Sequence, residues 1–131
     1  MSAAEPEAPA VRVVDVEGSP ALPIVKSGGS ATAVIWPGMG ARLRSMHHIS
    51  LHAGGSTVRM RHPSDAVYYV ISGNGRADDD GGTEHPLVEG SMVHIDAGTE
   101  YALRAGPEGL EAVGGPAPAD RAMYEGLGEG S

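Results

Sequence analysis

Short runs in which apolar and polar residues alternate, broken by glycine and proline, fill the middle of the chain. They are Ala31–Trp36, Ser45–His52, Ser56–Met60, Val67–Ser72, Arg76–Asp79, Thr83–Val88, Met92–Ile95 and Glu100–Arg104. A period of two sends successive side chains to opposite faces and marks half-buried strands. Short strands separated by turn signals at roughly 8–12 residues predict an all-β sandwich or barrel. Asn74-Gly75 and Asp80-Gly81 carry residues that tolerate positive φ and predict tight turns. Alanine at Gly81 is expected to weaken its turn.

The ends read differently. Residues 1–10 are rich in Ala, Pro and Glu without periodicity and predict a disordered lead-in. Val11–Val16 is a short strand candidate ended by Gly18-Ser19-Pro20. The barrel domain is expected over 11–113. Residues 114–131 are rich in Gly and Pro and predict a flexible tail, with a weak helical signal at Asp120–Tyr124.

Composition sharpens this picture. The 131 residues include 20 Gly and 10 Pro, together roughly twice the usual share, which disfavours long helices. Phe and Cys are absent and Trp occurs once, so the core must be largely aliphatic. Without Cys there is no disulfide framework and no thiolate chemistry. The net charge of −8, from 17 acidic against 9 basic residues, disfavours a general electrostatic grip on nucleic acid. No stretch is long and apolar enough for a membrane span, and the N-terminus shows no signal-peptide pattern. No nucleic-acid or membrane partner is therefore expected, and the expected compartment is the cytoplasm. Arg42, Arg44, Arg59 and Arg61 form a local basic surplus. It reads either as surface strand residues or as a contact for an anionic small molecule, Arg44 foremost.

Residues 47–103 resemble a small single-domain cupin. Gly55, Met60-Arg61-His62, Pro63, Val67-Tyr68-Tyr69-Val70 and Gly73 fall in register with the first cupin motif. Gly90, Asp96-Ala97-Gly98 and Tyr101 take the places of the second. The resemblance implies a cupin-type jelly-roll β-barrel with a ligand cavity at its mouth. It also implies one divalent metal held by three His and one Glu. Here those positions read Met60, His62, Ala66 and Tyr101, with Asp65 one residue ahead of the Glu position. One imidazole alone does not hold a metal tightly, since catalytic sites normally offer three protein ligands.

Strand alternation suggests other groups that could enter the cavity. Met60 and His62 share a face, as do His48 and His52, while His47, Ile49 and Leu51 share the opposite one. If a divalent metal binds, its expected ligands are His48, His52, His62 and His94. If none binds, His62 is the expected acid/base group, since imidazole titrates near neutrality. Tyr101 and Tyr68 are then expected to orient or polarise the ligand, or else to plug space that a metal would take. Arg44, His48, Met60 and His94 are the expected ligand-binding residues, with core filling as the simpler role for Met60. Asp78-Asp79-Asp80 reads as a solvated hairpin tip, and His85-Pro86 carries no functional expectation.

The function implied by the resemblance is that of a small-molecule-binding cupin. It would be a metal-independent isomerase, cyclase or dehydratase acting by proton transfer. The alternatives are a His-ligated metal enzyme such as a dioxygenase, or a non-catalytic ligand sensor. Small cupins often pair, so a homodimer is expected in each case.

Overall fold

The structure is a computed structural model that describes residues 9–125 and 127. The expected disordered lead-in lies mostly outside these residues, as does the end of the tail. The chain folds as an antiparallel all-β jelly roll. Its strands are β1 (Val25–Ile35), β2 (Met46–Thr57), β3 (Ala66–Asp79), β4 (Glu84–Val88), β5 (Met92–Ile95) and β6 (Tyr101–Pro116). Two 3-10 turns, Pro37–Met39 and Arg121–Tyr124, complete the elements. No described helix is long and apolar enough to cross a membrane.

The sheet order is β1-β2-β6-β3-β4, and β5 pairs with β3. β3 is the hinge of the fold. Its first half pairs with β5, from Ala66↔Ile95 to Tyr69↔Met92. Its second half pairs with β4, from Asn74↔Val88 to Asp78↔Glu84. Its other edge pairs with β6 along its length, interrupted by irregularities between Val70 and Ser72 and between Gly73 and Gly75. Such bulges bend a strand and add twist. Gly73 sits there at φ +86°, and a Cβ on it would collide with the Gly109 carbonyl. Only glycine meets both demands.

Several expected elements merge or shift. Most of Ser45–His52 and the first two residues of Ser56–Met60 fall in one strand, β2, and Val67–Ser72 and Arg76–Asp79 are one strand, β3. The Asn74-Gly75 signal therefore lies inside a bent strand rather than in a turn. The Asp80-Gly81 turn does form, but Gly82, not Gly81, takes the positive φ. Val11–Val16 forms no strand. The expected tail boundary at 114 falls inside β6, and Tyr124 beyond it is fully buried.

Alternation places the core. His47, Ile49 and Leu51 of β2 point inward, as do Ala66, Tyr68 and Val70 of β3. Leu87, Ile95 and Leu103 close the interior from β4, β5 and β6. With no Phe available, the aromatic filling comes from Trp36, Tyr68, Tyr101 and Tyr124. Buried tyrosine hydroxyls need hydrogen-bond partners. That requirement builds the site.

Candidate active site

Four side chains form one hydrogen-bonded chain through the barrel. Asp120 Oδ2 lies 2.8 Å from His62 Nδ1. His62 Nε2 lies 2.8 Å from the Tyr101 hydroxyl, which is 2.5 Å from the Tyr68 hydroxyl. A carboxylate only accepts, so Asp120 fixes the direction. His62 Nδ1–H donates to Asp120, Tyr101 O–H donates to His62 Nε2, and Tyr68 O–H donates to the Tyr101 oxygen. His62, Tyr68 and Tyr101 are all buried.

Each member has a structural reason to be there. Met60 and Tyr101 exchange backbone hydrogen bonds of 2.8 and 2.9 Å, which brings the segment carrying His62 against the start of β6. Tyr68 and Tyr101 lie on strands paired through β3 and β6. Asp120 caps the last 3-10 turn by accepting from the Ala122 amide at 3.1 Å. The chain reaches that turn along Pro116–Ala119, held by the Ser64 hydroxyl on the Pro118 carbonyl and by the Ala117 amide on Asp65.

Burial raises the Tyr68 hydroxyl pKa to about 12, against the lowering effect of its bond to Tyr101. Tyr101 is pushed up further, by burial first and then by Tyr68 and Asp120. Both therefore stay neutral at ordinary pH. Neither phenol rests as a tyrosinate.

A second buried pair lies beside the first. His47 Nε2 is 2.6 Å from the Tyr124 hydroxyl. The Tyr124 ring packs on Trp36 at 5.2 Å between centroids. His47 Nδ1 is buried without a hydrogen-bond partner. Burial, and then the charge of His62, lower the His47 pKa to about 4. Burial raises Tyr124 to about 12. Gly115 makes room for this pair, since a Cβ there would press on the Ser45 hydroxyl and the His47 ring.

Tyr101 also lines a cavity of about 540 Å³. Its apolar wall comes from Ala77, Leu87, Val93 and Ile95, and Asp79 and His85 stand among its polar lining residues. On the other side of the chain, His62 and Asp120 line a separate groove of about 380 Å³ with Arg59 and Met60. The hydrogen-bonded chain thus runs between two openings.

The expected site residues are only partly brought together. His62, Tyr101 and Tyr68 converge, and Met60 packs beside them in the core. Arg44 is exposed in a different groove with Met46 and Tyr69, and does not line the main cavity. His48 pairs with Glu111 at 2.6 Å, and His52 is exposed. His94 is exposed between Asp65 and Asp96 at 3.7 and 3.5 Å, where it lines both the main cavity and the Arg44 groove.

The metal set implied by the resemblance does not fit these residues. At its four positions stand a thioether, one imidazole, a methyl group and a phenol. Both nitrogens of the imidazole are already bonded, to Asp120 and Tyr101. Nor do His48, His52, His62 and His94 form a ligand cluster. Among the described residues, the group with metal-holding spacing is the exposed trio Asp65, His94 and Asp96.

Three side chains of these two hydrogen-bonded groups escape the sequence reading: His47, Asp120 and Tyr124. For His47 the signal is present, because it alternates with Ile49 and Leu51 on the core face. For Asp120 and Tyr124 the only signal is the weak helical pattern at the end of a glycine-rich tail.

The cupin domain family matches residues 47–113. No curated protein matches the chain. Among solved structures, the polyketide cyclase RemF from Streptomyces resistomycificus superposes with a TM-score of 0.69 at 20% identity, covering 85% of this chain and 81% of that one. An RmlC-like cupin from Shewanella frigidimarina gives 0.63 at 17% identity, over 79% and 86%. KdgF from Halomonas sp. gives 0.60 at 17% identity, over 75% and 87%. At these identities the likeness carries the fold alone. With the family match spanning half the sequence and the jelly roll in place, the chain belongs to the cupin family.

Proposed function

We propose that this cupin is an enzyme that moves a proton on a small molecule, as an isomerase, cyclase or dehydratase, without a resident metal. The observation that carries this reading is the Tyr68–Tyr101–His62–Asp120 chain, whose member Tyr101 lines a cavity of about 540 Å³. A cavity of that size suits a small organic ligand.

The direction of the hydrogen bonds sets the chemistry. A substrate proton arriving at the Tyr101 oxygen displaces the phenolic proton onto His62 Nε2. Asp120 stabilises the imidazolium so formed. Tyr68 keeps its hydrogen bond to the Tyr101 oxygen during the transfer. The reverse sequence returns the proton. General acid–base catalysis of this kind contributes about 10²–10⁴-fold. Ring closure belongs to the same reaction class, and one structural relative, RemF, is a polyketide cyclase.

The reading does not need a known substrate to be tested. Hydroxyketones from dihydroxyacetone to 2-hydroxycyclohexanone are incubated with the protein in heavy water, and proton NMR follows exchange next to the carbonyl. Exchange that disappears in folded Tyr101→Phe and His62→Gln variants supports the proposal. Exchange unaffected by either variant overturns it. Saturable binding without any exchange favours a ligand-sensing module instead.

A further inference from the structure

At the rim of the main cavity stands a second histidine–carboxylate pair. His85 Nε2 lies 3.0 Å from Asp79 Oδ2. The other oxygen, Asp79 Oδ1, accepts the backbone amides of Gly81 and Thr83 at 3.0 and 3.1 Å. The hairpin tip between β3 and β4 therefore clamps the carboxylate, and the carboxylate orients the imidazole. Cross-strand register explains the aim. Asp79 pairs with Tyr101, and Ala77 pairs with both His85 and Leu103. Directly paired residues share a sheet face, so His85 and Asp79 look toward the side that carries Tyr101 and Leu103. Both line the same cavity as Tyr101. The bond to His85, then the turn amides, hold the Asp79 carboxyl below the usual carboxylate range, so it stands ionised beside the ring. No Lys or Arg lines the cavity among the described residues.

We infer that His85, oriented by Asp79, is a second proton-transfer group of this cavity, acting opposite Tyr101 on a neutral hydroxylated carbonyl compound. The inference rests on the proton-transfer reading of the cavity. Two groups on one cavity divide an isomerisation between them. Tyr101 takes a proton from carbon and passes its own to His62, and the electron pair of the broken C–H bond moves into the enolate. Protonated His85 delivers its proton to the enolate, at a different atom, and becomes neutral. Afterwards His62 carries one proton more and His85 one fewer. Solvent restores both, because His85 is exposed and His62 lines the second groove. The carboxylates at the rim and the lack of a lining Lys or Arg disfavour an anionic substrate.

The test is the same deuterium exchange in heavy water, run on wild type, His85→Ala, Asp79→Asn and Tyr101→Phe, with folding checked by circular dichroism. Exchange in wild type should fall about 10²-fold or more in His85→Ala. Added imidazole should restore part of it in that variant, which a purely structural role for His85 would not allow. Asp79→Asn keeps an acceptor for the turn amides but loses the charge that orients the ring. It should lower kcat with little change in KM, and imidazole should not rescue it. Full exchange in His85→Ala beside an inactive Tyr101→Phe overturns this inference and leaves the Tyr101 relay standing. Absence of exchange in wild type on every hydroxyketone overturns both.

Discussion

The Tyr101 hydroxyl meets His62 Nε2 at 2.8 Å, at two positions where the cupin pattern expects imidazoles joined by a metal. A direct hydrogen bond occupies the place of coordination. Its removal should be felt twice. Tyr101→Phe strips the partner from His62 Nε2 and from the Tyr68 hydroxyl, both buried. An unsatisfied buried polar group costs about 1–3 kcal/mol. Chemical denaturation should show a loss in that range, alongside loss of proton exchange. A variant as stable as wild type would mean that water or rearrangement satisfies both groups, and the relay would lose its structural basis.

The same hydrogen bond predicts how the protein treats metals. For His62 to ligate, its bonds to Tyr101 and Asp120 must give way, and Met60 and Ala66 offer no carboxylate or imidazole in support. Calorimetric titration with zinc or nickel should show no tight stoichiometric binding that depends on His62. Weak binding that disappears in His94→Ala would belong to the exposed trio with Asp65 and Asp96. Tight binding abolished by His62→Gln would refute the reading of a metal-free centre.

His47 gives the fold a pH dependence of definite sign. Buried, it stays neutral down to about pH 4, whereas in the unfolded chain it takes a proton near 6.5. Between those values the unfolded state binds the extra proton. Stability therefore falls as pH drops from 6.5 toward 4, by on the order of 3 kcal/mol from this group. Above 6.5 the effect is absent, and below 4 it grows no further. His47→Gln should flatten this part of the stability profile relative to wild type, measured by urea denaturation at several pH values. Parallel profiles for the two proteins would show that His47 is not buried neutral.

The sequence carries the strands well and the site less well. Alternation found Met92–Ile95 as it stands and put His47 beside Ile49 and Leu51 on the core face. Spacing alone does not reveal which face is inner, so the His48 and His52 face is an equal cavity candidate by sequence. The landmark glycines and Val67–Val70 carried the family motif as far as His62 and Tyr101, and these two do touch. Asp120 lies 58 residues from its partner His62. No local period links residues so far apart, and the glycines between them resemble a flexible end. Gly114 and Gly115 are instead strand residues, whose missing side chains let β6 lie close against Tyr68 and His47. The Asp79–His85 pair was hidden by chemistry rather than distance. A run of three Asp beside a glycine pair has the composition of a solvated turn, and only the register of β3 with β4 and β6 turns it toward the cavity.

The segment after β6 belongs to the core, and the single tryptophan can report it. Tyr124 packs on Trp36 at 5.2 Å and pairs with His47, and the turn that carries it also presents Asp120 to His62. Removing a buried aromatic side chain costs about 3–5 kcal/mol. Tyr124→Ala should destabilise the protein by about that much and shift Trp36 emission to longer wavelength as water reaches the ring. Tyr124→Phe keeps the packing and loses the hydroxyl that meets His47, so its emission should stay near that of wild type and its stability should fall by about 1–3 kcal/mol. If the turn also positions the catalytic chain, Tyr124→Ala should slow proton exchange through Asp120, and Tyr124→Phe should not. Equal emission from wild type and Tyr124→Ala would show that the segment does not cover Trp36. The Asp120–His62 contact would then lose its anchor.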